Sequence, residues 1–192
     1  MGRRYDSAAY AATVARIRAA IPGVVIHGDV IVGFPTEDEA AWERSLAFIR
    51  SIGFAGIHVF RYSARPGTPA VRMHGAVDEP TRKRRAAELL AVAAEARAAF
   101  AADHVGREAR VLFETRLADG RWLGHAEDHV LVAAGDATAD VENAVGRVVI
   151  DGVDPEAADR ATGRILDLDP APRPIRRDLP LTPTLPGGLH AT

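Results

Sequence analysis

Apolar positions recur three or four residues apart near the start of the chain, with Tyr10, Val14, Ile17 and Ile21 on one face. The spacing predicts a helix from Ser7, as its cap, to about Ala20, stopped by Pro22-Gly23. From Val24 to Val32 the run is apolar and β-branched, polar only at His27 and Asp29, and too short for a typical helix; it reads as a buried parallel strand. After Gly33-Phe34-Pro35, Thr36 offers a cap and Glu37, Asp38 and Glu39 favour a helix start. That helix runs to about Ser51 on the face Trp42, Leu46, Ile49 and Ile52 and ends at Gly53. A second β-rich run, Phe54 to Tyr62, completes a β-α-β unit.

Ser63 to Glu79 has no periodicity and holds Pro66, Gly67, Pro69 and Gly75, so a long loop leaves the carboxyl end of the second strand, where ligand sites concentrate. Pro80 starts a long helix to about His104, with Leu89, Leu90, Ala93, Ala96 and Phe100 as its buried stripe. Beyond Gly106 the pattern changes to short β segments at 109–116, 122–125, 129–133, 144–150 and 161–166. Turns such as Asp119-Gly120 and Gly135-Asp136 separate them, as in a small all-β barrel. Half of the twelve prolines fall between Pro170 and Pro186, which predicts a disordered tail over 169–192.

Composition narrows the classes. A chain of 192 residues, 47% hydrophobic, buries a real core. With no cysteine it supplies neither a disulfide, a thiol nucleophile nor a thiolate metal site. No run approaches the ~20 apolar residues of a membrane span, so no membrane partner and a cytoplasmic setting are expected. The formal net charge of −2 gives no simple argument for an avid nucleic-acid binder.

Three local features carry candidate chemistry. His27 and Asp29 share a strand face, with His58 on a neighbouring strand, which fits an acid–base or metal cluster or, more plainly, hydrogen-bonded polar groups of a strand. The run Arg82-Lys83-Arg84-Arg85 splays around the long helix and reads as an RNA contact or a solvated surface. In the barrel, seven arginines face thirteen acidic residues over 105–168, which opposes phosphate binding in general. Arg110, Arg121 and other arginines nonetheless cluster toward its first strands, and Trp122 fits either a base stack or the core.

Two strings in the β-α-β unit say more: DVIVGFPTE at 29–37 and IHVFRYSARPGTPA at 57–70. Together they resemble the radical S-adenosylmethionine methylthiotransferases of tRNA, and the HVF and RPGTPA wording is most similar to the branch that modifies threonylcarbamoyl-adenosine. The resemblance extends from Met-Gly-Arg-Arg-Tyr through the long helix to a segment similar to the family's TRAM RNA-binding domain. It implies an α/β partial TIM-type (radical SAM) barrel over 1–79, a linking helix over 80–104 and a small all-β TRAM/OB-like barrel over 105–168. It also implies S-adenosylmethionine and a [4Fe-4S] cluster as cofactors of the full-length enzyme, and tRNA as partner.

This chain holds neither the family's three-cysteine loop nor its additional amino-terminal domain. The expectation is therefore a carboxyl-terminal part, whether truncated, a fragment or half of a split enzyme with a cysteine-bearing amino-terminal partner. Such a part is inactive alone, since it has no ligand for the iron; whether the chain is itself an enzyme stays open. By the resemblance, Ile31, Gly33, Phe34, Val59 and Phe60 contact the cofactor. Tyr62 and Arg65, and more loosely Arg61, contact the substrate, Arg65 suiting a threonylcarbamoyl carboxylate. Arg82, Lys83, Arg110, Arg121 and Trp122 are the RNA candidates. Asp29 is expected to anchor a loop by accepting hydrogen bonds, and Gly67 and Thr68 to shape the turn. Two rivals remain: a non-catalytic RNA-binding protein built on the barrel, and a hydrolase or lyase using His27, Asp29 and His58.

Overall fold

The computed structural model describes residues 5–135 and 140–169; the tail after Asp169 and the opening Met1 to Arg4 lie outside the described residues. Helix α1 spans Ser7–Ala20, but its cap is Asp6, whose carboxylate accepts the N–H of Ala9 at 2.8 Å. Strand β1, His27–Val32, is shorter than the apolar run, since Val24 to Ile26 precede it. Helix α2, Glu39–Ile52, is capped by Asp38, which accepts from Ala41 at 2.7 Å. Thr36 is not the cap. It sits at φ 75° inside the turn that joins β1 to α2. Strand β2, Gly56–Arg61, pairs parallel to β1, placing Asp29 opposite His58 and Ile31 opposite Phe60.

Alternation along the two strands divides their side chains. Val30, Val32, Ile57 and Val59 join the core formed with Val14, Trp42, Ile49, Leu89 and Val92. The other face carries Asp29, His58, Ile31 and Phe60, with Ile31 42% and Phe60 52% exposed. A strand apolar on both faces was the expectation; only one face is covered here. Among the described residues this part of the chain holds a two-stranded parallel sheet and closes no barrel of its own.

Helix α3, Glu79–Ala102, starts on Asp78, whose side chain accepts the N–H of Thr81, and follows a short 3-10 turn at Pro69–Arg72. It packs against β2 and also against the final strand of the barrel. Its first half gives Ala86, Leu89, Val92 and Ala93 to the sheet-side core, and its end gives Phe100 and Ala101 to the barrel core. Leu90 is 52% exposed, against the expected stripe, because it lies about 100° around the helix from Leu89. Arg85 takes an inward position instead.

Strands β3 (Glu108–Arg116), β4 (Trp122–Ala126), β5 (Leu131–Ala134), β6 (Val145–Asp154) and β7 (Ala157–Leu168) form a closed barrel in the order β3-β4-β5-β7-β6. β6 returns to β3, so no strand edge is left open. All pairs are antiparallel except β5 with β7. Val111, Phe113, Trp122, Val132, Val148 and Ile150 fill the interior. Among the described residues no helix is long and apolar enough to cross a membrane.

One buried charge ties the barrel together at the β6–β7 turn. The fully buried carboxylate of Asp154 accepts from Arg121 at 2.9 Å, Arg160 at 3.0 Å and the N–H of Glu156 at 2.9 Å. Burial pushes this carboxyl up, and the Glu156 N–H with the Arg160 and Arg121 guanidiniums overcomes that push and holds it below the usual carboxylate range. A depressed folded-state value means the stabilisation is present above the unfolded value and is lost as pH falls through the folded one. Asp154→Asn is expected to cost about 3 kcal/mol by leaving two arginines without their shared anion. Urea unfolding at neutral pH measures the loss, and the gap to wild type should narrow on acidification.

Candidate functional site

The carboxyl ends of parallel strands are where an α/β sheet presents ligands. Here they open a cleft of about 860 Å³. Ile31 and Phe60 form its floor, Phe34 and Tyr62 one wall, and Thr68, Pro69 and Met73 of the following loop another. The Phe34 and Tyr62 rings meet edge to face at 5.4 Å and 76°. Into this apolar space project one carboxylate, Asp29, and the cations Arg61 and Arg65. Arg61 is ion-paired with Glu79 at the start of α3. Arg65 has no side-chain partner among the described residues; its carbonyl accepts from Thr68, whose Oγ1 and N–H both close the turn.

Two arginines on the first turns of α3 hold the cleft's wall. Arg85 is 2% exposed, and its guanidinium donates to the Glu37 carbonyl at 2.8 Å, to Glu37 Oε2 at 2.9 Å and to Glu39 at 2.9 Å. The same Glu37 Oε2 accepts the N–H of Gly33 at 2.7 Å. Arg85 also lies 5.8 Å from the ring centre of Trp42, whose Nε1 donates to Glu88 at 2.7 Å. The hydrogen bonds from Arg85 and Arg84 hold the Glu39 carboxyl below its ordinary range, and the Trp42 N–H does the same, against burial, for Glu88. Arg82 donates to the Tyr62 carbonyl at 3.1 Å and pairs with Glu79. Its stem crosses Gly33, where a Cβ would run into the Arg82 Cγ; at φ 73° only glycine fits both the backbone and the neighbour. The turn between Gly33 and Glu37 is pinned from its other side as well, by Thr36 N–H to Gly75 O at 2.8 Å.

Of the cofactor candidates, Ile31, Phe34 and Phe60 line the cleft together. Val59 does not: alternation turns it into the helix-side core. Gly33 presents its close approach to Arg82 and not to the cleft. The substrate candidates Tyr62, Arg65 and Arg61 all border the space. Asp29 was expected to anchor a loop; it is exposed in the cleft and no described group donates to its side chain. His27, Asp29 and His58 lie on the open face of the sheet, and no hydrogen bond joins their side chains among the described residues. The His27 ring lies over Gly56 and meets His129 of the β4–β5 hairpin edge-on at 5.9 Å. Partial burial, then His129 and His58, hold His27 below its ordinary range. Among the described residues no group of three or more histidines or carboxylates is placed to hold a metal ion.

The RNA candidates differ in how far other groups occupy them. Arg82 is a clamp, as above. Arg110 is held by Asp169 and Glu127, and Arg121 by Asp119 and Asp154. Trp122 is 5% exposed inside the barrel core, so its ring is closed to a stacking base. Lys83 alone of this set is exposed without an ion pair among the described residues. The acidic excess visible in the composition has become a set of carboxylates paired with the barrel's own arginines. What sequence reasoning missed is Arg85, hidden in a charge run; its signal was Glu37 and Glu39, acidic residues at the head of a helix that must pack against something.

An α/β unit with a strand-end cleft, joined through one helix to a closed β-barrel, is the class of protein these elements define. No family model matches the chain. Curated relatives do. The chain is 37% identical over 151 residues to a tRNA-2-methylthio-N(6)-dimethylallyladenosine synthase of Maricaulis maris, covering 79% of this chain and 33% of that protein. It is 36% identical over 130 residues to the threonylcarbamoyladenosine tRNA methylthiotransferase MtaB of Thermotoga maritima, covering 68% and 30%. A Frankia alni synthase of the first kind is 42% identical over 137 residues, covering 69% and 28%. The chain thus spans about a third of the length of these relatives. It belongs to the tRNA methylthiotransferase family.

Two substitutions test the clamp. Arg85→Leu is expected to lower stability by about 3–5 kcal/mol, because it removes the buried partner of Glu37, whereas the exposed Arg84→Ala is expected to change stability far less. Chemical denaturation followed by the fluorescence of Trp42, which Arg85 overlies, measures both. Thr36→Gly relieves a β-branched residue of a left-handed conformation and is expected to raise stability by about 1 kcal/mol. A lower Tm in that variant would contradict the strain.

Proposed function

We propose that this chain is the carboxyl-terminal part of a radical S-adenosylmethionine tRNA methylthiotransferase, and that its cleft holds a nucleoside during methylthiolation of a modified adenosine. The observation that carries this reading is the cleft itself: an aromatic wall for a planar ring, an apolar floor, and the unpaired cation Arg65 beside the carboxylate Asp29. Family membership supports it, and tRNA follows as the partner. In this reading residues 1–79 belong to a partial TIM-type barrel, whose further strands would cover the bare face of β1 and β2. The closed β-barrel is then the TRAM or OB-like module, reached through the linking helix, in a cytoplasmic enzyme.

The two cofactors of such enzymes fare differently here. S-Adenosylmethionine, when bound, supplies the methyl group and the radical chemistry; Ile31, Phe34 and Phe60 suit its adenine and methylene groups, and Asp29 its cationic or hydroxyl groups. A [4Fe-4S] cluster does not fit this chain, which has no cysteine among its 192 residues, so the cluster ligands would have to come from outside this sequence. By itself the chain is expected to bind without turning over.

Relatives named for dimethylallyl and for threonylcarbamoyl adenosines match at similar identity, so identity does not choose between substrates. Arg65 favours the threonylcarbamoyl group, whose carboxylate it would meet, over an uncharged prenyl group. Calorimetry with the two modified nucleosides tests this. N6-threonylcarbamoyladenosine is expected to bind at least about tenfold more tightly, a preference that Arg65→Gln removes. Equal binding of the two by the unaltered chain would overturn the substrate assignment, and binding of neither would overturn the cleft.

A further inference from the structure

Both ring nitrogens of His104 face oxygen atoms, two residues beyond the end of α3. Nδ1 lies 2.7 Å from the carbonyl oxygen of Phe100, one of the terminal carbonyls of that helix, and Nε2 lies 2.6 Å from Oδ2 of Asp128 in the β4–β5 hairpin. The residue is 4% exposed, and the Phe100 ring packs against it edge-on at 4.6 Å. A carbonyl and a carboxylate only accept, and a neutral imidazole has a single N–H. Both contacts are hydrogen bonds at once only when the ring carries two protons or the carboxyl carries one. The Asp128 side chain is 36% exposed and keeps access to water, so the second proton belongs on the ring.

We infer that His104 is a proton-dependent latch between the linking helix and the barrel: as an imidazolium it caps the last turn of α3 and grips Asp128, and as a neutral ring it holds only one of the two. The charges around it support a cation. Asp103 precedes it on the chain, Asp128 and Glu127 face it from the hairpin, and Glu108 lies on β3. The carbonyl end of α3 adds a partial negative charge. Of the arginines bordering the same two grooves, Arg18 is taken up by the carbonyls of Ile52 and Gly53 and Arg50 by Glu95. Arg110 and Arg147 are held by barrel carboxylates, which leaves Arg107 as the opposing charge.

The latch grips the hairpin one residue from the His27–His129 contact, so the two together fix where the barrel stands against the sheet. The first contact needs a charged ring, whereas partial burial, His129 and His58 favour the neutral form of His27 in the second. The joint at His104 therefore loosens when the ring gives up its second proton. Since α3 also holds the cleft wall through Arg82 and Arg85, the proton on His104 sets the barrel's position relative to the cleft.

Nitrogen NMR of the histidine rings in the full chain tests this, with His104→Gln identifying the signal by its loss. At pH 6 both His104 nitrogens are expected to be protonated. Asp128→Asn supplies an amide N–H that a bare Nε2 can accept, so this variant fits a neutral ring. Between pH 6 and pH 8.5 the Tm of the unaltered chain is expected to fall by about 2–4 °C more than that of Asp128→Asn. A single ring N–H at pH 6, or parallel Tm curves for the two proteins, would overturn the latch; the ring spectrum decides the matter even if the variant does not fold.

Discussion

The cleft depends on an arginine buried in a helix that does not itself line it. Taking a guanidinium out of water is costly, and Arg85 is tolerated at 2% exposure because Glu37 and Glu39 meet it with three acceptor contacts while Trp42 closes over it. What the arrangement specifies is geometry. Glu37 is held by Arg85 on one side and holds the Gly33 amide on the other, so the turn after β1 is attached to α3, and Phe34 stands where the end of β1 meets Tyr62 at the end of β2. Arg82, one turn earlier, repeats the device on the second strand by taking the Tyr62 carbonyl. A sheet of only two parallel strands has little intrinsic rigidity; these two side chains give its ends a fixed form.

The barrel handles its charge in a related way. Arg110, Arg121, Arg147 and Arg160 each meet a carboxylate, and the buried Asp154 draws two of them to one turn. The pairing accounts for a small barrel that is rich in arginine and still net acidic. It also means that a phosphate group meeting Arg110, Arg121, Arg147 or Arg160 would have to displace an intramolecular partner.

Much of this was legible in the sequence. The order of helices and strands, the junction at Gly106 and the strand-end strings DVIVGFPTE and IHVFRYSARPGTPA are local patterns, and the residues that the strings place at the strand ends, Ile31, Phe34, Phe60, Tyr62 and Arg65, do meet around one space. Where reading failed, a contact distant in sequence decided the outcome. Val59 was misplaced because the inward and outward faces of an isolated strand look alike until its partner and helices are known. Arg82 and Arg85 read as surface because a run of four basic residues has no periodicity to reveal which of them turns inward. Thr36 looked like a cap by residue type, yet the turn needed two further residues to bring Asp38 over the first amides of α2. Trp122 was undecided because the sequence of a barrel strand does not say which face is the interior.

The central claim is that α3 fixes the form of both strand ends through Arg85 and Arg82, in the absence of any ligand. Amide hydrogen exchange at Gly33, whose N–H ends on Glu37, measures this directly. The account predicts protection of that amide comparable to the core of α3, and its loss in Arg85→Leu while the barrel amides keep theirs. Exchange of the Gly33 amide at the rate of an open loop in the unaltered chain would contradict it.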